Sequence, residues 1–307
     1  MKKIKSNLAV LIFLAPLFYA CIPRVPDNPN PGQVVIHEKL FDGFKVCIVG
    51  DTGKHHEGQR LVADTLLAEG CDQVRHTGDI IYGEGLDSAD DPAFKERFQD
   101  YYAQMYQNGI PFHMSQGNHD YKKFPESWLE LAKRHEGIEF PSMYSMDIYG
   151  DICLLTIDTN AFPFKQVNWL KRLKSQYKAT CKMTLAFGHH PKYSSGKHGN
   201  ATVLIRTFLN NMVSGKLDAY FAGHEHNQED IGVIDGTHYF VTGAGAEYRF
   251  IKYKPKLWAQ AKLGYQIVTV HYKDEQPFLN YAFYSIDEET KVKKIERTGS
   301  ISGVGFR

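Results

Sequence analysis

Five short segments of the chain carry side chains able to hold a metal ion, and each is introduced by a glycine. They are Asp51 in Gly-Asp-Thr-Gly, Asp79 and Tyr82 in Gly-Asp-Ile-Ile-Tyr, Asn118 and His119 in Gly-Asn-His-Asp, His189 in Gly-His-His-Pro, and His224 and His226 in Gly-His-Glu-His. Mixed carboxylate, imidazole and amide donors suit divalent or trivalent first-row ions, rather than Ca²⁺ or a thiolate-bound zinc. Eight such groups are too many for one tetrahedral ion. They fit two ions that share a bridging carboxylate. Taken singly, each segment reads more simply as a turn, a helix cap, a core aromatic or a solvated pair than as a metal site. Five in compatible order make chance assembly the weaker explanation.

The elements around these segments explain how they can meet. Apolar runs at 44–49, 73–76, 112–114, 183–187 and 219–222 read as short strands, each leading into one of the five segments. Further strands are expected at 152–157, 238–242, 265–272 and 279–285, and helices at 59–69 and 169–177. Asp91-Pro92 is a helix start, with Asp as cap and Pro in the first turn. Phe94, Phe98, Tyr101 and Met105 then recur every three or four residues, as on the buried face of a helix. Strands alternating with helices and ending in hairpin-like strands predict an α/β sandwich with mixed sheets. Loops at the carboxyl ends of strands are where such sheets assemble sites.

Composition narrows the functions available. Of 307 residues, 36 are Lys or Arg and 35 are Asp or Glu, a net charge of +1. That balance argues against a nucleic-acid binder held by a basic field. At 43% hydrophobic the chain is too apolar to be disordered. A monomer is expected. The first 20 residues read as a signal peptide: Lys2, Lys3 and Lys5, then an apolar run from Leu8 to Ala20 that is too short to span a bilayer. Ala20-Cys21 is similar to the cleavage point of a bacterial lipoprotein, which predicts an exported protein with a lipid anchor on Cys21. Residues 21–33, with Pro23, Pro26, Pro29 and Pro31, read as an extended tether. Residues 34–307 read as one domain. Cys47, Cys71, Cys153 and Cys181 could form two disulfides in three connectivities, or stay as buried thiols.

The five segments together resemble the signature of the metallophosphoesterases, and Tyr82 in Gly-Asp-x-x-Tyr narrows the resemblance to the purple acid phosphatases. The chain looks most like the small tartrate-resistant kind, through Phe140-Pro141-Ser142, Lys197-His198-Gly199 and Gly243-Ala-Gly245 as well. The resemblance implies a four-layer αββα sandwich of two mixed β-sheets flanked by helices. It implies a dinuclear centre in which Fe³⁺ takes Asp51, Tyr82, His226 and the bridging Asp79. A divalent Fe, Zn or Mn takes Asp79, Asn118, His189 and His224. His119 and His198 match outer-sphere histidines, of which one protonates the leaving alkoxide. Phosphate monoesters are the implied substrates, attacked by a hydroxide held at the metal pair. The alternative within the superfamily is a phosphodiesterase or nucleotidase, which Tyr82 disfavours. A non-enzymatic binding lipoprotein would be expected to lack some of these groups. Asp120 could orient His119, or serve only the turn. Two features depart from the family. Only Thr-Asn-Ala-Phe-Pro-Phe-Lys joins Asp158 to Gln166, where mammalian members carry a proteolytically regulated loop. His190 and Lys192 stand where those enzymes have other residues, and could bias substrate charge or lie on the surface.

Overall fold

The computed structural model describes residues 31–161 and 164–307. The expected signal peptide, Cys21 and all of the expected tether before Pro31 lie outside the described residues, while the last part of that segment joins the fold, with Gly32 hydrogen-bonded to Trp169 and Ser142 and Gln33 opening the first strand. The strands in chain order are β1 (Gln33–His37), β2 (Lys45–Val49), β3 (Gln73–His76), β4 (Phe112–Met114), β5 (Ile138–Glu139), β6 (Ser145–Tyr149), β7 (Ile152–Thr156), β8 (Met183–Phe187), β9 (Ala219–Ala222), β10 (Gln228–Ile234), β11 (Thr237–Thr242), β12 (Trp258–Gln260), β13 (Gly264–Lys273), β14 (Gln276–Ile286) and β15 (Lys293–Ser302). The helices are α1 (Glu57–Leu67), α2 (Pro92–Phe94), α3 (Asp100–Gln107), α4 (Ser127–Arg134), α5 (Phe164–Tyr177) and α6 (Val203–Met212), with a π-helical turn, Lys95–Gln99, joining α2 to α3.

Two mixed sheets result. One runs β1-β6-β7-β8-β9-β11-β10-β12 and the other β15-β14-β13-β2-β3-β4-β5. In the first sheet β7-β8-β9-β11 run parallel between antiparallel neighbours, with β1 added parallel to β6 at one edge; in the second, β2-β3-β4-β5 form a parallel half that reaches the edge, and β13, β14 and β15 an antiparallel half. Strand alternation divides the core. Val46 and Ile48 of β2 pack between the sheets with Leu154, Leu185, Phe221 and Phe283. Cys47 and Val49 point the other way, into the layer that contains Val62, Ala63 and Leu66 of α1. Phe187, Phe221 and Phe240 stack across the first sheet at 5.1 and 4.9 Å. The expected αββα sandwich is the observed one.

Asp91 caps α2 as expected, accepting from the Ala93 N–H, with Pro92 in the first turn. The buried face then differs from the sequence reading. Phe98 is followed inward by Tyr102 and Tyr106, while Tyr101 is only partly buried. Phe94, Phe98 and Met105 are buried as expected, so the difference is confined to Tyr101, whose place on the inner face Tyr102 takes four residues after Phe98, and to Tyr106, which joins it.

The cysteines form Cys47–Cys71 and Cys153–Cys181. Each bond joins the first strand of a β-α-β crossover to the segment that returns after its helix. Disulfides of this kind persist in oxidising compartments.

The strand missed most instructively is β10, to which the sequence reading assigned no element and whose Gln228, Glu229 and Asp230 are fully buried. Their partners come from distant segments. Gln228 donates to the Tyr284 carbonyl at 2.8 Å, Glu229 accepts from Ser194 and Ser195, and Asp230 accepts from Tyr281 and Arg297.

Candidate metal centre

β2, β3 and β4 of one sheet and β8 and β9 of the other end at the same edge of the sandwich, so the five segments meet across the seam between the sheets. Asp51, Asp79 and His224 sit at φ 59°, 52° and 69°. This left-handed region is costly for residues with a Cβ, and such strain concentrates at functional sites. Neighbouring backbone holds it in place. The Asp51 N–H donates to the Gly78 carbonyl at 2.9 Å, and the His224 N–H donates to Asp51 Oδ2 at 2.8 Å. Gly117 is required by close approach: a Cβ there would lie 2.0 Å from Asp79 Oδ1.

The side chains form two groups. In the first, Tyr82 Oη donates to Asp51 Oδ1 at 3.0 Å and lies 2.8 Å from His226 Nε2, which is 3.5 Å from Asp51 Oδ1. In the second, Asn118 Oδ1 lies 3.1 Å from His189 Nε2 and 2.9 Å from His224 Nδ1, and those nitrogens are 3.2 Å apart. Asp79 connects the groups. Its Oδ1 is 3.5 Å from His189 Nε2, and donor atoms of Asp51, Asp79 and His189 all lie within 4.8 Å of one another. The tautomer of His189 follows from its other partner. Nδ1 faces the Thr77 carbonyl at 2.9 Å and must carry the proton, so Nε2 presents a lone pair. That lone pair meets the Asn118 oxygen, another acceptor. The Asn118 amide, the His189 nitrogen and the Asp79 carboxylate, which lies 3.5 Å from that nitrogen, form a donor set that fits a metal ion.

The electrostatics agree. Burial, and next the charge of Asp79, push Asp51 well above the usual carboxylate range. Burial also raises Asp79, but the opposing pull of His189 and of the His119 N–H leaves it below its ordinary value. Tyr82 is raised well above 10 by burial and then by Asp51 and Asp79. Burial pushes His226 down to about 3, helped by Arg249, and drives His224 well below its ordinary value. The imidazoles therefore stay neutral, the form that binds metal. Positive charge placed among them would favour the ionised carboxylates and phenolate.

His119 and His198 flank the groups. The His119 ring is 4.6 Å from that of Tyr82, with Nδ1 3.0 Å from the Gly83 carbonyl. The His198 ring is 5.1 Å from that of His224, and the His198 backbone N–H donates to Glu225 Oε1 at 2.8 Å. Burial, and then Arg249, Lys197 and Lys252, lower its affinity for a proton. Asp120 does not orient His119. Its carboxylate accepts from the N–H groups of Ile80, Ile81 and Gly117, tying the Asp79 segment to the Asn118 segment. Lys192 turns away, buried, onto Ser214 Oγ at 2.6 Å.

His190, by contrast, joins the site. Its ring is 4.6 Å from that of His224, and Thr159 Oγ1 holds its Nδ1 at 2.9 Å. It forms a potential ligand group with His189 and His224. Sequence reasoning also missed Glu247, whose Oε1 is 2.8 Å from His226 Nδ1 and 3.2 Å from Lys54 Nζ. The lysine lies 3.7 Å above the Tyr82 ring. Glu225 was legible only as the spacer inside Gly-His-Glu-His.

Residues 44–228 match the calcineurin-like phosphoesterase family. Tartrate-resistant acid phosphatase type 5 of Sus scrofa is 24% identical over 275 residues, 81% of this chain and 79% of that protein. Purple acid phosphatase 4 of Arabidopsis thaliana is 27% identical over 265 residues, 77% of this chain and 75% of that one. Among solved structures, GAP50, the anchor in the inner membrane complex of Plasmodium, superposes with a TM-score of 0.68 at 20% identity. The superposition covers 86% of this chain and 90% of that one. PhoD superposes with a TM-score of 0.59 at 12% identity, over 91% and 73%.

Proposed function

The chain belongs to the calcineurin-like phosphoesterases, with purple acid phosphatases among its homologues, and we propose that it hydrolyses phosphate monoesters at a dinuclear centre formed by the two side-chain groups that Asp79 connects. The observation that carries this reading is the meeting of acceptor atoms from Asp79, Asn118 and His189 in a buried cluster. Asp51, Tyr82 and His226 would hold an Fe³⁺, Asn118, His189 and His224 a divalent Fe, Zn or Mn, and Asp79 would bridge. When bound, the ions supply charge to offset that of the phosphoryl group and a hydroxide available at acidic pH.

The protein's own groups do the rest. His119, whose Nδ1 is held between the Gly83 carbonyl at 3.0 Å and Lys122 Nζ at 3.1 Å, would exchange a proton with the leaving oxygen. Glu225 fixes the His198 backbone, so that this ring can donate to a phosphoryl oxygen beside His224. The homologues named as acid phosphatases favour monoesters over the diesterase or nucleotidase reading. Residues 34–307 would form one catalytic domain and act as a monomer, exported by the signal peptide 1–20 and held to a membrane through the tether 21–33 and a lipid on Cys21.

The test is hydrolysis of p-nitrophenyl phosphate against bis-p-nitrophenyl phosphate, with metal analysis of the same protein. Monoester turnover and two bound ions are expected. Protein that cleaves only the diester, or that works without metal, would overturn the reading.

A further inference from the structure

Beside the metal centre lies a second cavity, of about 460 Å³, that shares His198 as a wall. Tyr193 and Tyr253 line it, together with Asn200, Lys254 and Lys256. Its floor is rigid. The buried Glu229 carboxylate accepts from Ser194 Oγ, Ser195 Oγ, the Ser195 N–H and Asn227 Nδ2, at 2.5 to 2.9 Å. Four donors oppose that charge, so it presents little repulsion to an anion above it. The Ser195 carbonyl then accepts from the Lys252 and Tyr253 N–H groups, at 2.9 and 2.8 Å, which fastens the 249–256 segment over the floor. Gly199, at φ +75°, lets the Tyr253 ring close down: a Cβ there would meet Tyr253 Cε2 at 2.9 Å.

The charge around the cavity is uneven for a molecule of net charge +1. Lys252, Lys254 and Lys256 are exposed at alternate positions, and among the described residues they and Lys197 have no carboxylate partner. Lys256 Nζ lies 5.4 Å from the centre of the Tyr193 ring and Lys252 Nζ 5.1 Å from that of Tyr253. Aromatic side chains in the lining suit a planar ring, and ammonium groups without carboxylate partners in a concave site concentrate anions. The volume falls within the range of small-molecule sites, roughly 300–1,000 Å³.

We propose that this cavity is the leaving-group pocket of the phosphatase site, and that it selects phosphate monoesters whose leaving group is a planar ring bearing a second anionic group. The proposal rests on the phosphatase reading above: the phosphoryl group sits by His224, and the ring passes His198 into the cavity between Tyr193 and Tyr253. The second anion then meets Lys254 and Lys256.

The test uses the full chain loaded with metal and a matched pair of substrates, 4-carboxyphenyl phosphate and phenyl phosphate. In Lys254→Gln/Lys256→Gln protein, the ratio of kcat/KM for the charged over the uncharged substrate should fall by roughly threefold to tenfold, mainly through KM. Added salt should shrink the wild-type ratio and leave that of the double variant nearly flat. Lys273→Gln, at the far hairpin, is the control and should keep the wild-type ratio. Tyr253→Ala should raise KM for both aryl substrates more than for propyl phosphate. An unchanged ratio in the double variant overturns the pocket while leaving the phosphatase standing. Calorimetric binding of 4-carboxybenzylphosphonate and benzylphosphonate keeps the two readings separable. If nothing is hydrolysed but the lysine variant still loses the preference for the charged phosphonate, the phosphatase reading fails and the pocket survives. If wild-type protein shows no such preference, the pocket fails.

Discussion

At the scale of single residues, the site is an arrangement of side chains held in place by neighbouring backbone. The Thr77 carbonyl fixes the His189 proton on Nδ1, so that ring presents Nε2 to Asn118 and Asp79. Asp79→Ala should therefore abolish turnover of an aryl phosphate and lower the bound metal below two ions per chain, read by elemental analysis; retained activity would reject a dinuclear mechanism. Tyr82→Phe separates metal identity from hydrolysis. A visible tyrosinate–Fe³⁺ band in the purified protein should vanish in this variant, and a colourless wild type with two divalent ions would reject the iron assignment alone. His119→Ala should reduce kcat by about 10²–10⁴-fold with metal content unchanged, the range for loss of a general acid. A similar loss of metal would show that the ring supports the centre instead.

At the scale of elements, the two sheets are joined by polar contacts as well as by their apolar interface. Arg75 on β3 reaches Asp147 on β6 at 2.9 Å, and His113 on β4 and His37 on β1 approach the same carboxylate at 3.4 and 3.0 Å. Burial raises Asp147, but Arg75 and then His113 outweigh it and hold the carboxyl well below its ordinary range. A depressed carboxyl stabilises the fold above its unfolded pKa of about 3.9, and that stability is lost as the pH falls through the folded value. Asp147→Asn should accordingly cost about 3–5 kcal/mol near pH 7, because it strands the buried guanidinium. The loss should narrow below about pH 4, measured by denaturant unfolding across pH. An equal loss at both pH values would sink the ion-pair account. The disulfides act at the same scale. Closing loops of 24 and 28 residues, they should each stabilise by about 3–4 kcal/mol, so Cys47→Ala/Cys71→Ala should lower Tm while leaving the metal count intact. These elements also show where sequence reading stopped. β10 was not assigned because its buried Gln228, Glu229 and Asp230 are polar and draw much of their hydrogen bonding from segments 30 to 70 positions away, and on α3 the reading placed Tyr101 on the buried face that Tyr102 and Tyr106 occupy with Met105.

At the scale of the whole molecule, a net charge of +1 conceals two local extremes: a cluster of buried acceptors at the seam of the sheets and a row of lysines over the cavity beside it. A radiolabelled fatty acid should be incorporated into the wild-type chain and not into Cys21→Ser; equal labelling of both would reject the anchor. By itself the sequence determined the donor types, their order and their place at strand ends, because a metal ligand and the glycine that frees its turn are local properties of a few adjacent residues. It could not determine that β2, β3 and β4 lie in one sheet and β8 and β9 in the other. Nor could it show that Asp120 ties two loops together, that Lys192 faces inward while His190 faces the centre, or which cysteines pair. Those outcomes depend on which distant segments share a neighbourhood, and only packing the two sheets face to face decides that.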